Sequence, residues 1–241
     1  MESTATLAAQ HVLSHFYRVP RTQPMFVAVQ GPQGSGKTHL TRSLVSALSS
    51  PPHSLRFAVF SVDDLYLTLS DLQKLSADNP GNKLWKGRGQ PGTHDVKLGA
   101  DILTRLRDIG VEAGVPDVTT KTQVVLPSYD KSKYDGQGDR AAVGTPVNSP
   151  VDVVIMEGWC VGFHPLEQPE LDELWKNVCA EAEVNPGSII QRAMEGIRKE
   201  DIESVNVALR DYLTEWYGFF EVFVQVSADL FPSICVLIRV V

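Results

Sequence analysis

Cysteine is scarce. The three residues Cys160, Cys179 and Cys235 are odd in number and far apart. No C-x-x-C pair and no Cys/His cluster accompanies them, which argues against a disulfide framework or a zinc site and for reduced thiols in a cytoplasmic protein. Positive charge is also in deficit: 22 Lys and Arg against 29 Asp and Glu give a formal charge of −7. A nucleic-acid partner is therefore not expected, and any phosphate recognition must be local. No apolar run is long enough to span a membrane. The terminal ICVLIRVV carries neither a prenylation box nor a peroxisomal tripeptide. The opening stretch places Leu7, Val12, Leu13 and Phe16 on one side of a helix, and its first arginine is Arg18; a mitochondrial presequence is not expected from it. Internal repeats and long linkers are lacking, so residues 1–241 are expected to form one α/β domain. Nothing in the sequence sets an oligomeric state.

What is present is concentrated in residues 31–38, GPQGSGKT. Gly31, Gly36, Lys37 and Thr38 satisfy G-x-x-x-x-G-K-[ST]. The apolar run MFVAVQ precedes them, and a stretch with Leu40, Leu44, Val45 and Leu48 at helical spacing follows. Strand, glycine loop and helix are the context that separates a phosphate-binding loop from an ordinary glycine-rich turn. The segment Gly31, Pro32, Gln33, Gly34, Ser35, Gly36, Lys37, Thr38 is therefore expected to cradle a nucleoside triphosphate. Glycines turn successive N–H groups inward, the helix N-terminus adds positive potential, Lys37 reaches the β- and γ-phosphates, and the Thr38 hydroxyl meets Mg²⁺.

Two further apolar runs end in acids. Residues 55–68, LRFAVFSVDDLYLT, read as a strand closing on Asp63 and Asp64. Either could accept the proton of an attacking hydroxyl, or the pair could cap the next helix. Residues 151–159, VDVVIMEGW, read as a strand closing on Glu157, the place of an acid that holds a metal or its water shell. Gly158 after it allows close backbone approach. Residues 219–229 read as a fourth strand and residues 95–110 as a helix. Residues 167–216 are mostly helical, with a break at Asn185-Pro186-Gly187; Trp175 and Trp216 suit packing better than base stacking. Between the second and third strands lie two glycine- and proline-rich loops, residues 79–95 and 126–140. Both are locally basic, with Lys83, Lys86 and Arg88 in one and Lys131, Lys133 and Arg140 in the other, which suits a small anionic acceptor.

GPQGSGKT, SVDDLY, RGQPGTHD, YDKS…GQGDR and EGWCVGF occur in that order. Together they resemble the eukaryotic D-glycerate 3-kinase-like group of P-loop kinases, related to uridine kinase, phosphoribulokinase and pantothenate kinase. The resemblance spans about residues 5–229. It implies a P-loop NTPase fold: a mostly parallel sheet with helices on both faces. It also implies ATP, Mg²⁺ and transfer of a phosphoryl group to a small hydroxylated acceptor, D-glycerate. Matching S-x-D-x-[FL]-[YH] makes Asp63 the expected base, with Asp64 and Tyr66 beside the acceptor. The relatives' EGI motif matches Glu157-Gly158 and places Glu157, with Thr38, near the metal. Their acceptor-loop motifs carry over to Tyr129, Arg140, Arg88, His94 and Asp95.

Residues 230–241 depart from the family pattern, which continues with a helix, an arginine-bearing lid and a terminal helix. The expectation is a missing lid, and with it the alternative of an ATP-binding protein that transfers weakly. A GTPase switch would need [NT]KxD; SKYD at residues 132–135 is one residue short.

Overall fold

The computed structural model describes residues 4–110, 122–228 and 234–239. Helix α1 (Thr4–Phe16) leads into β1 (Met25–Gln30), which is buried along its whole length. After the glycine loop, α2 (Lys37–Ser49) turns Leu40, Thr41, Leu44 and Leu48 inward. Next come β2 (Phe57–Ser61), α3 (Leu69–Asp78) and α4 (Val96–Asp108). Four short strands follow: β3 (Gln123–Leu126), β4 (Tyr129–Asp130), β5 (Asp139–Arg140) and β6 (Thr145–Asn148). They form two antiparallel pairs, β3 with β6 and β4 with β5. The chain continues through β7 (Val153–Gly158), α5 (Gln168–Val184), α6 (Ile189–Met194), α7 (Lys199–Glu215), β8 (Val222–Ala228) and β9 (Ile234–Arg239).

Among the described residues the main sheet has five strands in the order β2-β7-β1-β8-β9. The pairs β2–β7, β7–β1 and β1–β8 are parallel, and β9 runs antiparallel to β8. An apolar run buried on both faces is what a central parallel strand demands, and β1 supplies it. On one face Ala8, Val12, Leu40, Leu44 and Leu48 of α1 and α2 pack against Val27, Val29, Ile155 and Val224. On the other, Ile102, Leu103 and Leu106 of α4, Tyr212 of α7 and Trp216 just after it pack against Phe26, Ala28, Phe60, Val154 and Met156. Helices thus cover both faces, as expected. Trp216 is core, and its indole N–H donates to the Val96 carbonyl at 2.9 Å.

The register sets the site. β1 pairs Val29 with Glu157, and β2 pairs Ser61 with Glu157, so three carboxyl ends finish at one level. Because β2 lies beyond β7, the chain leaving β1 crosses over, and a crevice opens where the order reverses.

Three expectations change. The second strand stops at Ser61, and Val62–Leu65 form a 3₁₀ turn. The Ser61 hydroxyl accepts from the Asp63 N–H at 3.2 Å, while the Asp64 carboxylate accepts from the Ser61 N–H at 3.1 Å. This reciprocal cap satisfies the turn's free amides and ends the strand early. The loop expected over residues 126–140 contains the β4–β5 hairpin, and the one over residues 79–95 contains a 3₁₀ turn, Lys83–Trp85. Within the segment set apart as divergent, residues 230–241, the described part is β9 itself; residues 230–233, 240 and 241 lie outside the described residues.

Candidate functional site

The glycine loop turns on left-handed backbone. Gly34 and Gly36 have φ of 77° and 87°, a region that disfavours any side chain. Gly31 is required by crowding instead, since a Cβ there would stand 2.7 Å from both Ser35 Oγ and the Val226 carbonyl oxygen. Gly36 is the N-cap of α2 and no side-chain oxygen caps that helix, so its amino end is open to an anion. Ser35 Oγ is buried in the loop with no hydrogen-bond partner among the described residues. Lys37 folds back, its Nζ donating to the Pro32 carbonyl at 2.9 Å. Burial pulls the Lys37 pKa down, while the Glu157 and Asp63 carboxylates pull it up.

Glu157 faces this loop from the end of β7. It accepts from the Thr38 hydroxyl at 3.0 Å and from the Thr41 hydroxyl at 3.3 Å. A hydroxyl and a carboxylate held this way, beside an uncapped helix end, fit a hard oxygen-seeking cation carried in by a triphosphate. Among the described residues no group of three or more His, Cys, Asp or Glu side chains is placed to hold a metal alone. An ion bound mainly through phosphates and water needs none.

Two clefts open here. One, of about 510 Å³, is bordered by Gly34, Lys37, Thr38, Asp63 and Glu157. The other, of about 1080 Å³, is bordered by Gln73, Lys86, Arg88, Gln90 and Tyr66. Gln33, Asp63, Lys131 and Trp159 border both. Asp63 therefore stands on the partition. Its carboxylate accepts from the Tyr66 hydroxyl at 3.2 Å and pairs with Lys131 Nζ at 2.5 Å. Asp64, one residue on, is turned the other way: its second oxygen accepts from the Tyr129 N–H at 3.3 Å. Burial raises its pKa, and the Ser61 and Tyr129 amides oppose that.

A layer of side chains backs the larger cleft. Tyr66 stacks on the His94 ring, with centroids 4.4 Å apart. His94 is 3% exposed, and its Nδ1 shares a hydrogen bond with the Tyr212 hydroxyl at 2.5 Å. Burial lowers its pKa to about 3, so it is neutral. Asp95 caps α4 by accepting from the Leu98 N–H at 3.0 Å, and its other oxygen pairs with Arg140 at 3.0 Å. Arg140 also donates to the Tyr66 carbonyl at 3.1 Å. The Arg88 guanidinium lies 5.8 Å from the centre of the Tyr129 ring and donates to the Gly136 carbonyl at 2.7 Å and to that of Gln137.

Comparison with known proteins places this arrangement. A solved D-glycerate 3-kinase from Cryptococcus neoformans superposes with a TM-score of 0.77 at 36% identity, over 95% of this chain and 75% of that one. The chain belongs to the D-glycerate 3-kinase-like family of P-loop kinases. A probable ATP-dependent kinase of Saccharomyces cerevisiae, TDA10, is 42% identical over 148 residues, which is 60% of this chain and 48% of that protein. The chloroplastic D-glycerate 3-kinase of Arabidopsis thaliana is 35% identical over 164 residues, 64% of this chain and 34% of that protein. The chain thus spans half or less of the length of these two curated relatives. No protein-family model matches it.

Within this family framework the expected residues separate into two groups. Lys37, Thr38, Asp63, Glu157, Tyr66 and Arg88 meet at the clefts. His94, Asp95, Tyr129 and Arg140, expected at the acceptor, do not border either cleft; they fix the wall behind it. Asp64 borders the smaller cleft, and each of its oxygens accepts a backbone N–H group. Sequence reasoning did not assign Lys131 and Trp159 to the site. Lys131 was visible as one charge of a basic loop, but its partner lies 68 residues away. Trp159 followed the Glu157-Gly158 pair that was read.

Proposed function

We propose that this chain is an ATP-dependent kinase that phosphorylates a hydroxyl of a small anionic acceptor, D-glycerate. The observation that carries the reading is the position of Asp63 on the partition between a phosphate-binding loop and a second, basic cleft. Among the described residues the larger cleft is bordered by three cations, Lys86, Arg88 and Lys131, against the single acid Asp63. In a chain of net charge −7, such a local field favours an anion. The family membership supports both the nucleotide and the acceptor class.

In this reading the loop amides and Lys37 hold the phosphates. Thr38 and Glu157 would hold a Mg²⁺, which would supply neutralisation of the negative charge on the phosphates. Asp63 takes the proton from the acceptor hydroxyl as its oxygen bonds to the γ-phosphorus. The bond from that phosphorus to the β–γ bridging oxygen breaks, and ADP leaves. Tyr66 keeps the Asp63 carboxylate aimed across the partition. Positioning and charge neutralisation supply most of the rate.

The test is ADP release with Mg·ATP, with and without D-glycerate. The expected outcome is acceptor-dependent release. Asp63→Asn should lose about 10²–10⁴-fold in kcat with nucleotide affinity retained, and Lys37→Ala should lose nucleotide affinity. Nucleotide binding without acceptor-dependent release would overturn the glycerate reading and favour a nucleotide-binding protein with weak transfer.

A further inference from the structure

The clefts meet at Lys131, and its setting does not suit a surface ion pair. The Lys131 side chain is 49% exposed, and the Asp63 side chain 21%. Such a pair is worth under about 1 kcal/mol. The turn that carries it is nonetheless heavily braced. Asp130 accepts from the Ser132 N–H and hydroxyl at 2.9 and 2.6 Å. Lys133 Nζ donates to the Arg140 carbonyl at 3.1 Å, and Arg88 holds the Gly136 carbonyl. Tyr134 and Asp135 sit at φ of 51° and 54°, uncommon for residues with a Cβ. Asp64 anchors the start of the hairpin through the Tyr129 N–H. All of this fixes the backbone that presents one long cation where both clefts open. Among the described residues Lys37 and Lys131 are the two lysines bordering the phosphate cleft.

We propose that Lys131 is a second phosphate cation of this site, resting on Asp63 in the free protein and moving to the γ-phosphoryl oxygens when ATP enters. The inference rests on the kinase reading. It places on the β4–β5 hairpin a charge otherwise sought in a distant lid. Lys131 then has two consequences. It neutralises the group being transferred, and by leaving Asp63 it frees that carboxylate to take the acceptor proton. ADP lacks the γ-phosphate, so Lys131 should discriminate ATP from ADP before any chemistry occurs.

Calorimetric titration of the protein with Mg·ATP and Mg·ADP tests this without an acceptor. Lys131→Ala is expected to weaken ATP binding about 10–100-fold, the worth of a lost hydrogen bond to a charged group, with ADP affinity unchanged. Lys131→Arg should recover most of the loss. The same loss in an Asp63→Asn background shows contact with phosphate rather than an unshielded Asp63. In turnover, Lys131→Ala should lower kcat at least about hundredfold. Equal effects on the two nucleotides, no effect, or a loss that vanishes in the Asp63→Asn background would each overturn the proposal. Because the ATP-to-ADP ratio is read by binding, it decides the role of Lys131 even if D-glycerate proves not to be the acceptor.

Discussion

His94 was expected to touch the acceptor; it is buried and stacks on Tyr66, whose hydroxyl donates to Asp63. Its burial keeps it neutral, and the linkage has a definite sign. The folded pKa of about 3 lies below the ordinary 6.5. Above about 6.5 neither state binds the proton and nothing is lost. As pH falls below 6.5 the unfolded chain gains a proton that the folded chain refuses, so stability drops with a slope approaching 1.4 kcal/mol per pH unit until about pH 3. His94→Asn keeps a polar atom near Nδ1 for Tyr212 but cannot ionise. Denaturant unfolding at pH 6 and pH 4 should show a shallower loss for the variant by about that slope; parallel curves would mean His94 is protonated in the fold. The residue alone hid this. A histidine in R-G-Q-P-G-T-H-D could be read as ligand or as core, and only Tyr212, 118 positions away, decides between them. Asp63 and Asp64 divide in the same way. The cap reading describes Asp64, and Asp63 faces Tyr66 and Lys131 instead, because a 3₁₀ turn sends adjacent side chains in different directions.

The strands and helices were more legible than the pieces between them. β1, α2, β7 and α4 stand close to where apolar periodicity put them, since each buries a continuous face. The β3–β6 and β4–β5 pairs were invisible because two- to four-residue strands carry too few positions for a period. Pairing, not pattern, defines them, and Asp64 and Arg88 hold the hairpin from outside it. The contact of α4 with α7 was also unreadable, though a glycine marks it. Gly99 lies inside α4 where helix propensity alone would favour alanine by about 1 kcal/mol. Yet an added Cβ would stand 2.6 Å from the Trp216 ring. Trp216 is 1% exposed and its N–H is tied to Val96, so it has little room to move. Gly99→Ala should therefore destabilise by about 1–3 kcal/mol, read as a lower denaturation midpoint. A gain in stability would show that the ring shifts freely and that the α4–α7 seam is loosely packed.

Across the molecule, the sheet order turns scattered signals into one site. Gly31, Asp63 and Glu157 lie up to 126 positions apart in the chain, yet the β2-β7-β1 order and its level register bring them to one edge. P-loop spacing made that edge foreseeable; the pairing of β9 onto β8 was not, because residues 230–241 matched no expected pattern. If the edge binds nucleotide as its geometry indicates, binding must feed into global stability, since the loop joins the central strand to a helix buried on one face. At a Mg·ATP concentration 100 times its Kd, a ligand bound only by the folded state adds about 2.7 kcal/mol. For a chain of this size that raises the thermal midpoint by about 5–10 °C. The shift should be seen by differential scanning fluorimetry with or without an acceptor, and it should disappear in Lys37→Ala. Asp63→Asn should keep it, because the base does not hold the phosphates. A shift that survives Lys37→Ala would place the nucleotide somewhere other than the glycine loop and would remove the premise on which both cleft assignments rest.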